Sequence, residues 1–390
     1  MEMIGMEGSF AVAEAAKLAD TDVIAAYPIT PQTHIVERLA ELVANGELDA
    51  EYIPVESEHS AMSACVGASA VGARTFTATA GQGLELMHEV LYIASSLRLP
   101  IVMTVANRAL SAPLSVWGDH SDVMAVRDCG WVQMFAENGQ QAFDLTLCAF
   151  RIGEHPQVLF PVMVHLDGFH LSHVVEPLFL LEKSQVDKFL PRYTHPFALD
   201  PDKPVSMGAF AGPALYMEAK KAQDVALRSA KEVILQVWHE FGEISGRHYH
   251  AVEHYQSEGA KVLLLTMGSF SETAMVAIDE LREQGEKIGL IRLRMWRPFP
   301  FEEICQAVEN AEVLIVLDRC LSFGAHNAPV CSEIRAALYP QEKKPKVVGF
   351  IGGLGGREIS VADFKKMISR GLERAEKGGE EEVELIGVRE

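Results

Sequence analysis

Thr30, Glu58 and Arg108 each follow a short apolar run, and Gly81-Gln82-Gly83 follows another. A guanidinium offers a planar fork of donors that matches a carboxylate, and a hydroxyl adds one more. Arg108 and Thr30 could together grip a small carboxylic acid. Glu58 lies between an apolar run and a stretch of small residues, so it is expected to be partly buried. Burial raises a carboxyl's pKa and suits it to proton transfer. Taken singly, each residue has a plainer reading: Thr30 as the cap of a helix beginning at Pro31, Glu58 as a solvated carboxylate, Arg108 as an ion-pair member. Their coincidence points instead to a site for a small anionic substrate with an acid/base glutamate.

Other patterns carry less. Gly81-Gln82-Gly83 lacks the third glycine of a dinucleotide fingerprint and follows the third strand rather than the first. Gly352-Gly353-Leu354-Gly355-Gly356 resembles an anion loop but reads first as a tight turn. His239, His248, His250 and His254 form a local set without the spacing of a zinc site, and a polar helix is the preferred reading. Trp117-Gly118-Asp119-His120 falls in a long loop that could close over a site.

The six cysteines, Cys65, Cys129, Cys148, Cys305, Cys320 and Cys331, contain no C-x-x-C pair. They read as thiols in a reducing compartment, so any metal centre is expected on another chain. The net charge of −20 speaks against nucleic acid or an anionic membrane surface as partner. There is no apolar run long enough to span a bilayer and no basic-then-apolar leader at the start, so the expected location is the cytoplasm.

Positioning these residues requires an α/β scaffold. Strands are expected at residues 22–27, 51–55, 75–79, 100–106 and 158–166, with helices between them, which makes a parallel sheet. Ligands bind beyond the carboxyl ends of such strands. Residues 111–137 read as irregular, and 218–243 as one or two long polar helices. A second α/β unit follows, with strands at 262–267, 288–293, 313–318 and 347–350. The expected domains are residues 1–240 and 258–375.

Larger blocks resemble one family. Tyr27-Pro28-Ile29-Thr30-Pro31, Glu56-Ser57-Glu58, the run from Ala106 to Pro113, Leu166-Asp167-Gly168-Phe169, the run from Phe241 to Arg247, and Arg297-Pro298-Phe299-Pro300 resemble the α subunit of pyruvate:ferredoxin oxidoreductases, in the same order over most of the chain. The resemblance implies a pyrimidine-binding domain of the thiamine-diphosphate type, then a transketolase-C-terminal-like domain. It implies thiamine diphosphate shared with a β subunit. Mg2+ and [4Fe-4S] clusters are expected on partner subunits (β, γ and δ), with ferredoxin and coenzyme A engaged through the complex.

By the same resemblance Glu58 matches the glutamate that hydrogen-bonds the cofactor's aminopyrimidine, and Pro28 lies at the turn packed near that ring. Thr30 and Arg108 match residues that hold the substrate's carboxylate and keto oxygen. The implied reaction is oxidative decarboxylation of a 2-oxoacid to an acyl-CoA, or its reverse. Trp117-Gly118-Asp119 departs from the Trp-Asn-Asp of the pyruvate pattern, which leaves another 2-oxoacid open. Alternatives are a non-redox thiamine-diphosphate carboligase, a non-catalytic scaffold subunit, and a nicotinamide dehydrogenase, the last disfavoured by the missing fingerprint.

Overall fold

A computed structural model describes residues 3–378 and 383–389. Seven strands form the first sheet, in the order Met295–Arg297, Val132–Phe135, Val162–Asp167, Val102–Asn107, Thr75–Thr79, Val23–Ala26, Glu51–Pro54. Six run parallel, and only Met295–Arg297 is antiparallel to its neighbour. The central strands Thr75–Thr79, Val102–Asn107 and Val162–Asp167 are buried throughout because helices cover both faces. Such strands read as near-continuous apolar runs, and that is why they are visible in the sequence.

The second sheet has the order Glu384–Leu385, Lys346–Ile351, Val313–Asp318, Val262–Thr266, Ile288–Leu293, Val252–Tyr255. It too is parallel except for one edge, Val252–Tyr255. Met3–Glu7 and Val175–Phe179 make a separate antiparallel pair.

Several expectations are corrected. Residues 111–137 are not wholly irregular: they contain the helix Ser121–Ala125 and the strand Val132–Phe135. Gly81-Gln82-Gly83 opens a helix, Gly81–Leu86, that breaks at Met87 before His88–Ser96. The expected polar helix is one element, Pro213–Ser245, ended by Gly246 at φ 72°. Its second half is not a polar spacer. Ala230, Val233, Ile234, Val237, Trp238 and Phe241 recur at helical spacing and are buried in the first domain's core, where the helix packs on Gly139–Gly153. His254 lies in an edge strand and not on that helix.

The two sheets are stitched together. Met295–Arg297 leaves the second sheet's Ile288–Leu293 strand and pairs with Val132–Phe135 of the first. Among the described residues no helix is long and apolar enough to cross a membrane.

Candidate active site

Glu58 is the first residue of the helix Glu58–Ala70, which starts where the Glu51–Pro54 strand ends. Ser57 caps that helix by accepting from the Ser60 N–H at 3.3 Å. The Glu58 side chain turns inward and is only 5 % exposed. Its carboxylate receives no hydrogen bond from any described residue. Gly83 makes room for it. A Cβ at Gly83 would sit 2.6 Å from Glu58 Oε1 and 2.6 Å from Thr79 Oγ1, itself a buried hydroxyl without a partner.

Arg108 directly follows the Val102–Asn107 strand, which pairs with Thr75–Thr79, and is 8 % exposed. Its stem lies over Gly81, where a Cβ would come within 3.1 Å of Arg108 Cδ. Nη1 donates to the Thr30 carbonyl at 3.1 Å and Nε to the Ser115 carbonyl at 3.0 Å, while Nη2 has no protein partner among the described residues. Gly81 and Gly83 share one helical turn, so that turn bears Arg108 at one residue and Glu58 two residues on.

Thr30 and Pro28 lie exposed in the turn after Val23–Ala26. Thr30 is not the helix cap. The helix spans Thr33–Ala44 with Gln32 before it, and the Gln32 amide is tied to the Ala78 carbonyl at 2.6 Å. The Thr30 hydroxyl therefore remains free among the described residues. The structure thus joins Thr30, Arg108 and the Gly81 turn directly, and brings Glu58 to the same turn. Pro28 lies two residues before Thr30 in the same turn.

Sequence reasoning missed the residue that organises the cluster. Asp122 is fully buried and accepts from Gly81 N at 3.1 Å and Arg108 N at 2.9 Å through Oδ2. Through Oδ1 it accepts from Asn107 Nδ2 at 3.0 Å and Val123 N at 2.7 Å. Burial pushes its carboxyl up to about 7, against the pull of the Arg108 and Asn107 donors. No local pattern marks it, since its partners lie up to 41 residues away.

A second buried network sits behind the first. Asp167 ends the Val162–Asp167 strand and pairs closely with Arg319, the residue after the Val313–Asp318 strand of the other sheet. Ser269 N donates to Asp167 at 2.8 Å and His120 Nε2 lies 3.3 Å away. Burial pushes the Asp167 carboxyl up, but Arg319 and His120 outweigh it and hold it well below the usual range. Neighbouring His165, stacked on Phe135, is lowered to about 3 by burial first and by His120 second.

The 352–356 glycines make a tight turn that includes the 3-10 helix Leu354–Gly356. The Gly355 N–H donates to Asp119 at 3.0 Å, and Gly356 abuts Trp117. This turn seats the 111–119 loop against the second domain. Gly118 is gripped between strand ends, where a Cβ would lie 3.0 Å from the Gly168 carbonyl and 3.1 Å from that of Asn107.

The architecture is the transketolase-like fold of thiamine-diphosphate enzymes, with two α/β sheet domains in succession. A split-gene transketolase superposes with a TM-score of 0.52 at 13 % identity, covering 95 % of this chain and 99 % of that one. A 2-oxoglutarate:ferredoxin oxidoreductase from Magnetococcus marinus superposes with a TM-score of 0.74 at 19 % identity. That match covers 95 % of this chain, which spans 65 % of the other's length. The family described as pyruvate flavodoxin/ferredoxin oxidoreductase, thiamine-diphosphate-binding, matches residues 14–239. The pyruvate:ferredoxin oxidoreductase core domain II matches residues 260–364.

Pyruvate synthase subunit PorA of Methanocaldococcus jannaschii is 52 % identical over 372 residues, covering 95 % of this chain and 94 % of that one. Ketoisovalerate oxidoreductase subunit VorA of Pyrococcus abyssi is 46 % identical over 362 residues, covering 92 % and 91 %. The chain belongs to the pyruvate:ferredoxin oxidoreductase family and is the α subunit of a 2-oxoacid:ferredoxin oxidoreductase.

Proposed function

We propose that this subunit builds the aminopyrimidine half of a thiamine-diphosphate site and the carboxylate grip for pyruvate, with Glu58, Pro28, Thr30 and Arg108 in those roles. One observation carries the reading: Glu58 is only 5 % exposed, its carboxylate takes no hydrogen bond from a described residue, and Gly83 leaves it space. A protonated ring nitrogen is the donor that would satisfy it. Thiamine diphosphate, when bound, supplies the nucleophilic carbon and electron sink that cleavage beside a keto group requires.

The chain's own residues bind, orient and hold a proton. Glu58 holds the aminopyrimidine in the tautomer that can take up a proton. Arg108 Nη2 and the Thr30 hydroxyl, both without protein partners among the described residues, meet the substrate's carboxylate and keto oxygen. Asp122 keeps Arg108 and the Gly81 turn in register. Pro28 stiffens the turn beside the ring.

Mg2+ and the [4Fe-4S] clusters reside on the partner β, γ and δ subunits. The cysteines here support this, since the six are free thiols with no C-x-x-C pair among them. Ferredoxin and coenzyme A act through the complex, in the cytoplasm, and the functional division runs at residues 1–240 and 258–375. A branched-chain 2-oxoacid is the second reading, favoured by the similarity to VorA.

The test is viologen reduction by the co-expressed complex under anoxic conditions, with thiamine diphosphate, coenzyme A and a panel of 2-oxoacids. Pyruvate-dependent reduction that collapses in Glu58→Gln supports both the role and the substrate. Reduction with a branched-chain acid alone moves the specificity. A Glu58→Gln complex as active as wild type would refute the role given to Glu58.

A further inference from the structure

Glu7, His34 and His173 converge from three separate segments, away from Glu58 and Arg108. Glu7 ends the Met3–Glu7 strand, His34 is the second residue of the Thr33–Ala44 helix, and His173 precedes the Val175–Phe179 strand. One carboxylate oxygen and one nitrogen from each imidazole lie within 4.8 Å of one another. His34 Nδ1 is 2.6 Å from Glu7 Oε1, and the two imidazole rings are 4.3 Å apart between centroids.

The geometry points to a site for one divalent transition-metal ion of the zinc class, held by Glu7, His34 and His173 at the rim of the Thr30 turn. Two imidazoles and a carboxylate are the donor set that such ions take when water completes the shell. A helix–carboxylate pair alone would need only His34 and Glu7. The second imidazole drawn alongside needs a further reason, because two rings that can both be cationic repel each other.

Three details suit a ligand role. His173 Nδ1 lies 2.8 Å from Ser172 Oγ, and that oxygen accepts from the Phe169 N–H at 2.8 Å. The serine is thus oriented to fix the His173 ring, leaving Nε2 for an ion, as outer-shell partners do in metal sites. The His34 and His173 rings lie 33° apart between planes, with the Glu7 carboxylate beside them. Access is open, since the His34 side chain is 38 % exposed while Glu7 is 15 % exposed.

An ion there would clamp the N-terminal strand and the 168–173 segment to the helix that follows Thr30. His34 is four residues beyond Thr30, and a Cβ at Gly168 would lie 2.6 Å from Pro31. The site would therefore stiffen the turn that carries the substrate-facing hydroxyl.

The isolated full-length chain, stripped with chelator, is titrated with Co2+ and read by visible absorption. Zn2+ is then added as competitor and Mg2+ as control. The expected result is one equivalent of Co2+, displaced by Zn2+ and not by Mg2+, with affinity at least 10-fold weaker in both His34→Ala and His173→Ala. Glu7→Gln, which preserves shape, guards against misfolding and should also weaken binding, with circular dichroism unchanged. Absence of saturable uptake by the wild type, or uptake undiminished in all three variants, would overturn the site.

Discussion

Arg108 and Thr30, 78 residues apart in sequence, are joined by a hydrogen bond of 3.1 Å from guanidinium Nη1 to main-chain oxygen. The bond fixes the arginine fork beside the threonine turn, so the fork is oriented before any substrate arrives. Preorganisation of this kind is where an arginine and a lysine differ most.

Arg108→Lys should therefore behave as a loss of substrate grip. Lysine can reach either the Thr30 carbonyl or a carboxylate, but it cannot hold the first while offering a flat edge to the second. The expected change in steady-state assays of the complex is a rise in KM for the 2-oxoacid of roughly 10–100-fold, the size of a lost charge-assisted hydrogen bond, with kcat less affected. An unchanged KM would place the carboxylate elsewhere.

Gly83→Ala tests the space around Glu58. The added methyl would overlap Glu58 Oε1 and Thr79 Oγ1, each 2.6 Å away, and the carboxylate must shift. A displacement of this order costs on the order of 100-fold in kcat when it misplaces a reacting group. The helix position itself accepts alanine readily, so thermal unfolding should show a smaller change than the activity assay. Full activity in the alanine variant would detach Glu58 from the chemistry.

These contacts were unevenly legible in the sequence. Strands such as Thr75–Thr79, Ile288–Leu293 and Val313–Asp318 coincide with the expected runs, because burial on both faces demands uninterrupted apolar or small side chains. Val132–Phe135 carries little strand signal, since it is four residues long, contains Gln133 and follows Gly130-Trp131. Met295–Arg297 has no local signal at all, because its partner strand lies in the other domain.

The candidate site divides the same way. Arg108 and Glu58 could be found from their place after apolar runs. Asp122 could not, because its significance rests on donors brought from Gly81 and Asn107 by the fold. Thr30 sits at the expected edge, but the position before the helix belongs to Gln32. The Glu7, His34 and His173 cluster needed the antiparallel pairing of Glu7 with Val175 before it could be seen.

His165 should govern part of the acid sensitivity. Its folded pKa is depressed to about 3 from an ordinary 6.5, and its Nε2 is buried without a partner. The unfolded chain gains a proton below pH 6.5 that the folded chain refuses until about pH 3, so stability present above 6.5 is lost as pH falls through that window. At pH 5 the loss is about 2 kcal/mol from this residue. His165→Phe removes the titration, so its melting temperature should fall less between pH 7 and pH 5 than that of the wild type. Parallel pH dependence of the two proteins would show that His165 is not the sensor.

Arg319 and Asp167 tie the sheets together, and Arg319→Met tests how much of the cooperativity they carry. Removing one partner of a buried pair costs about 3–5 kcal/mol, because the other charge stays buried. Asp167 would keep His120 and the Ser269 N–H, so the loss should fall at the lower end of that range. The pair spans the first sheet's Val162–Asp167 strand and the segment following the second sheet's Val313–Asp318 strand. The Met295–Arg297 strand still joins the domains in the variant, so they should remain tethered but unfold separately. Urea unfolding of the variant should split into two phases. Hydrogen exchange should quicken in Val313–Asp318 before Val162–Asp167, since the second sheet loses the Arg319 anchor at that strand's end while the first retains the Asn107 to Asp122 bond at its edge. A single transition at the wild-type midpoint would mean that strand pairing and the Arg292 to Glu137 contact hold the domains together without Arg319.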